Sequence, residues 1–185
     1  DGGNFELSTM YHMIFLEDLL DLTNLRSVYG NTPPDGFKDS ISSMYNWLAV
    51  MCHPDGEISF FNDAALGITP SVSELHDYGA RLLGIDKPAL SNDEFGEHYF
   101  VDLPVTGYSR VQMGDMVAIV DRAAIGPDYL PGHAHADTLS FELSLFSHRV
   151  VVNSGTSTYG SDTNRQQERS TAAHSTIVID GQDSS

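Results

Sequence analysis

The hydrophobic period of the sequence changes once, near residue 96, and this change limits how the chain can bury its apolar residues. Before it the spacing is helical. Ser8 or Thr9 caps a helix carrying Met10, Met13, Ile14, Leu16, Leu19 and Leu20 to about Leu25, with Tyr11 and His12 near its start. Pro33-Pro34-Asp35-Gly36 breaks that pattern, and Ile41, Met44, Tyr45, Trp47, Leu48 and Met51 form a second apolar stripe. Thr69 and Pro70 predict the cap and first position of a third helix, lined by Leu75, Tyr78, Leu82 and Leu83 and closed by Gly84. After residue 96 the period is two. Strands are expected at His98–Val101, Ser109–Met113, Met116–Val120, Thr138–Phe146, Arg149–Val152 and His174–Ile179, with a tight hairpin at Gly114-Asp115. Helices followed by antiparallel strands predict an α+β chain of two modules, residues 1–92 helical and residues 93–185 antiparallel β.

Within the second module, His133, His135 and Asp137 occupy alternate positions. In an extended strand they share one face, and Leu139, Phe141 and Leu143 continue the same register. Such a cluster is costly to bury unless it is paired or binds a metal, so it predicts a site at a strand entrance. Downstream, Asn153 follows an apolar run and His174 opens an expected strand. Zinc takes three or four N, O or S ligands in tetrahedral array, and His135, Asn153 and His174 supply three with one position open.

The formal net charge of -17 argues against nucleic acid and anionic membrane surfaces as partners. The single Cys52 forms no internal disulfide, and no apolar run is long enough to span a bilayer. No signal-peptide pattern stands at Asp1-Gly2-Gly3-Asn4, and the chain reads as a piece of a longer polypeptide.

Three ordered segments resemble the heparinase II/III-like family of polysaccharide lyases: Gly132-His133-Ala134-His135-Ala136-Asp137-Thr138-Leu139-Ser140-Phe141, the Asn153-Ser154-Gly155-Thr156 run with Tyr159, and Ala173-His174-Ser175-Thr176. The segment from Asp1 to His12, His53-Pro54-Asp55-Gly56 and Phe61-Asn62-Asp63 resemble it too. The resemblance implies the end of an (α/α) toroid followed by the start of an antiparallel β-sandwich. It implies β-elimination on a uronate-containing acidic polysaccharide, such as a glycosaminoglycan or alginate, in a bacterial periplasmic or secreted enzyme. A base takes the proton at C5, and an acid protonates the departing O4. By resemblance Tyr11 is the catalytic tyrosine, donor to the leaving group and, with help from neighbouring cations, also base. His133 is the histidine beside the reacting centre, and His135, Asn153 and His174 hold a structural zinc.

Two departures stand out. The family's middle metal ligand is usually Asp, and the neutral amide of Asn153 is a weaker ligand that Asp137 would have to supplement. The family's Asn-His pair, which holds the uronate carboxylate, lies upstream of the tyrosine. The remainder of the polypeptide is therefore expected to complete the catalyst. Glu6 and His12 flank Tyr11 and are expected to orient it, while Tyr159, Arg165 and Arg169 are candidates for contact with sugar or carboxylate. Two other functions compete. One is a non-catalytic saccharide-binding or surface-polysaccharide biosynthesis protein on the same scaffold, which Asn153 favours. The other is a cupin-like metalloenzyme, suggested by His-x-His and a later His, although Glu142 lies too far from His135 for that motif.

Overall fold

The computed structural model describes residues 1–88, 90 and 98–184. Helices α1 (Thr9–Val28), α2 (Phe37–Val50) and α3 (Val72–Leu83) come first. Strands β1 (His98–Leu103), β2 (Tyr108–Met113), β3 (Met116–Asp121), β4 (Phe141–Leu145) and β5 (His148–Val151) follow, with a short helix α4 (Thr163–Arg169) after them. The strands form one antiparallel sheet in the order β1-β2-β3-β4-β5. The expected module boundary at residues 92/93 lies outside the described residues.

Caps set the helix ends. Ser8 Oγ accepts the Tyr11 N–H at α1. Helix α3 begins two residues later than Thr69-Pro70 suggested, because Ser71 and Glu74 form a reciprocal capping box. Gly84 ends α3 in the left-handed region, and Gly114 turns the β2–β3 hairpin at φ 56°.

The modules are successive in sequence but share a core. Trp47, Val50, Met51 and Phe61 pack with Leu103, Tyr108, Val117 and Ile119 from the sheet. Buried Arg110 on β2 donates to the carbonyls of Val50 and Cys52 at 3.1 and 2.6 Å, placing a cation at the C-terminal end of α2. The N-terminal segment lies against the same junction: Asp1 accepts from the backbone of Val105 and Thr106. A Cβ on Gly3 would stand 2.4 Å from Trp47 Nε1, so no larger residue fits there.

Two expected strands do not form. Residues 133–137 carry no ladder: Pro131–His133 is a 3-10 turn, and Leu139 turns the chain at φ 63° before β4. Their backbone is held otherwise, with His135 N–H on Asn62 Oδ1 and Ala136 N–H on the Arg169 carbonyl. His133, His135 and Asp137 therefore share no strand face. Residues 174–179 are likewise irregular after a 3-10 turn at Thr171–Ala173, with an isolated bridge from Ile179 to Gln182. The cupin-like reading needed strands at both places.

His12 is fully buried against Trp47, accepting from Asn4 N–H and bonding the Met44 carbonyl at 3.0 Å. Burial lowers its pKa from 6.5 to about 4. The unfolded chain thus binds the proton first. Stability is full above pH 6.5 and falls toward pH 4, by up to about 3 kcal/mol from this group. His12→Gln keeps one donor and one acceptor and is expected to flatten that limb in acid-unfolding curves of the full-length protein. Superimposable pH dependences would refute this.

Candidate active site

Tyr11 stands in the first turn of α1, where the Ser8 cap fixes its backbone. Its ring stacks on His133, with centroids 4.1 Å apart and planes within 7°. Its hydroxyl donates to the Tyr159 hydroxyl at 3.0 Å. Glu6 Oε2 lies 2.8 Å from His133 Nδ1. The carboxylate accepts, so Nδ1 carries the proton and Nε2 the lone pair. Burial, the bond to Tyr159 and the nearby Asp63 and Glu6 carboxylates all raise the Tyr11 pKa above the usual phenol value. The charges acting on this phenol keep its proton on, whereas the base role expected cations.

A second cluster lies deeper. His135 Nε2 bonds Asp63 Oδ1 at 2.8 Å, and His174 Nδ1 bonds Asn153 Oδ1 at 2.7 Å. The rings of the two histidines are 5.2 Å apart. With those protons on Nε2 and Nδ1, the remaining atoms, His135 Nδ1 and His174 Nε2, are buried lone pairs without a hydrogen-bond partner. Burial, with the neighbouring His135 ring, lowers the His174 pKa to about 4, against a smaller opposing pull from the Glu168 carbonyl. Among the described residues no three His, Cys, Asp or Glu side chains form a ready metal shell. Asp137 does not join the pair: it is buried, facing the Asn62 N–H at 3.4 Å, and burial raises its pKa to about 6.

The other candidates divide. Glu6 orients His133 rather than Tyr11, and Tyr159 completes the hydroxyl pair. His12 points into the core, away from the cluster. Arg169 is spent on the loop itself, donating to the carbonyls of Ala134 and Pro131 at 2.8 and 3.0 Å. Buried Arg165 forms a two-toothed pair with Asp63 and lies 5.5 Å from the Tyr159 ring centre. A cleft of about 720 Å³ is lined by His135, Arg165, Arg169, Gly160 and Gln166, but neither Tyr11 nor His133 lines it.

Two carboxylates went unassigned in the sequence. One is Asp63. The other is Glu142 on β4, fully buried, whose Oε1 accepts from Phe60 N–H at 2.7 Å and Asn153 N–H at 3.1 Å. Its Oε2 bonds His53 Nε2 at 2.6 Å, and His53 Nδ1 bonds Ser144 Oγ at 2.7 Å. Ser144, His53 and Glu142 are the residue types of a hydrolytic triad, but all three are buried and serve as a strut. The family-like segment His53-Pro54-Asp55-Gly56 was the sequence signal nearest to it.

Residues 1–78 match the heparinase II/III N-terminus family, and residues 96–185 match the heparinase II/III-like, C-terminal family. The chain belongs to the heparinase II/III-like family. It superimposes on a heparinase III structure with TM-score 0.80 at 18% identity, covering 99% of this chain and 33% of that one. For heparan sulfate lyase HepC from Pedobacter heparinus the values are 0.73, 19%, 99% and 31%. For a structure described as the heparinase III-BT4657 gene product they are 0.77, 20%, 99% and 31%. The chain thus spans about a third of the length of these structures. The comparison with curated protein sequences returns no match. The fold class is that of heparinase III, a helical toroid followed by an antiparallel β-sandwich.

Glu142→Gln keeps the shape of this strut but turns one acceptor toward N–H donors as a donor itself. It is expected to lower stability by about 1–3 kcal/mol in denaturant unfolding. A variant as stable as the parent would show the strut to be dispensable.

Proposed function

We propose that this chain carries the proton-transfer centre of a polysaccharide lyase that cleaves uronate-containing acidic glycan by β-elimination. The observation that carries the reading is the stack of Tyr11 on His133, with Glu6 on one side and Tyr159 on the other. His133 has its lone pair on Nε2 and a carboxylate behind Nδ1, which suits a base that accepts the C5 proton. Tyr11 has its proton held on, which suits the acid that protonates O4 as the bond to it breaks. The enolate-like charge that develops at the uronate carboxylate falls to groups outside this chain, since both nearby arginines are engaged.

The deep histidine pair supports a structural zinc, held by His135 Nδ1 and His174 Nε2. Two imidazoles on one tetrahedral ion place their ring centres about 5 Å apart, and the observed separation fits. Asp63 and Asn153 then stand behind the ligands as the groups that orient them. Bound metal would fix the loop that presents His133. His174→Ala should lower the zinc content of the full-length protein, and equal content in both would remove the metal from this reading. A periplasmic or secreted bacterial setting, with a glycosaminoglycan or alginate as substrate, belongs to the same proposal.

Tyr11→Phe keeps the ring and its stack and removes only the hydroxyl. In the full-length protein it should cut release of unsaturated uronate, followed by ultraviolet absorbance, by about 100-fold or more with little change in KM. Undiminished turnover would move the non-catalytic saccharide-binding reading ahead.

A further inference from the structure

Asp63 belongs to neither histidine pair, yet it bonds to both halves of the site. Its N–H donates to the His133 carbonyl at 3.1 Å, and its own carbonyl accepts from Ser8 Oγ, the cap that fixes Tyr11, at 2.5 Å. The side chain reaches the other way. Oδ1 accepts from His135 Nε2, and both oxygens receive the Arg165 guanidinium, which also donates to Thr156 Oγ1 at 2.9 Å and to the Gly132 carbonyl at 3.1 Å. Arg165 in turn lies over Tyr159, the acceptor of the Tyr11 hydroxyl. Asp63 is fully buried, and its partners hold its pKa below the usual carboxylate value although burial alone would raise it.

We propose that the Asp63 carboxylate is a positioning residue that sets the His135 tautomer and the Arg165–Tyr159 support of Tyr11 together. Deepening the lyase reading, and resting on it, this makes one buried anion the link between the deep histidine pair and the proton-transfer pair. A carboxylate suits this place. It accepts from three donors at once, whereas an amide would turn an N–H toward Arg165.

Removing one partner of a buried ion pair strands the other, so Asp63→Asn alone risks unfolding. The companion variant is Asp63→Leu with Arg165→Met, which removes both charges and keeps apolar bulk. Three measurements on full-length protein decide the matter: thermal unfolding, kcat and KM, and the nitrogen chemical shifts of the His135 ring in the metal-free state. The parent should show His135 protonated at Nε2. The double variant should unfold near the parent temperature, lose that tautomer, and turn over about 10- to 100-fold more slowly at little-changed KM. Asp63→Glu should recover part of the rate. A parent His135 protonated at Nδ1 overturns the proposal whether or not either variant folds. So does a folded double variant with parental rate and tautomer, which would leave Asp63 as no more than the partner of Arg165. If the parent lacks eliminase activity, the lyase reading fails instead, and the tautomer measurement alone decides the role of Asp63.

Discussion

The junction between helices and sheet is held by buried charges, each surrounded by enough partners to be tolerated there. Glu142 gathers His53, Phe60 and Asn153, while Arg110 covers the end of α2 and Asp63 pairs with Arg165. An isolated charge in such a place costs several kcal/mol, so these networks permit few alternative geometries. The candidate site is built on their far ends. The Phe60 to Asp63 segment leaves Glu142 and delivers Asn62 and Asp63 to the histidine loop, and Asn153 leaves the same carboxylate toward His174. The geometry of the candidate site is inherited from the way two modules are joined.

The sheet explains why the second module reads as apolar on both sides. Its inner face carries Tyr108, Val117 and Ile119 against α2, alongside Arg110 and Glu142. Its outer face carries Phe100, Met113, Phe141 and Val150, all exposed among the described residues. A strand apolar on both faces is built to be covered on both, which a β-sandwich accomplishes with its second sheet.

Helix positions, the β2–β3 hairpin and the order of the modules were legible in the sequence because each depends on local period or turn chemistry. The histidine loop was not. Alternation predicts a strand only where a neighbouring strand accepts the backbone, and here the acceptors are Asn62 and Arg169, far away in sequence. The pairing of Tyr11 with His133 came from resemblance, and the geometry of their stack from the structure alone. His12 was misjudged although neighbours on a helix lie about 100° apart, so that an outward Tyr11 turns His12 inward. Helix α4 has no apolar stripe in its seven residues, only the Asp162 cap, and so left little signal. Asp63 stood in a family-like segment and Glu142 was weighed only against the cupin-like motif, and neither was given a role, since a buried carboxylate in a loop or strand has no period of its own.

The electrostatics of the pair bear on how the work is divided. Tyr11 is surrounded by groups that stabilise its neutral form: burial, the Tyr159 hydroxyl, and the Asp63 and Glu6 carboxylates. The same Glu6 carboxylate accepts the hydrogen bond of His133 Nδ1 and so fixes the orientation of the imidazole. One carboxylate thus adds to the groups that disfavour ionisation of the phenol and also holds the imidazole in place. A phenol that must also act as base would need the opposite surroundings. In the proposed lyase the surroundings of Tyr11 therefore suit it to the acid role, while the histidine stacked on it is held through Nδ1 by the Glu6 carboxylate.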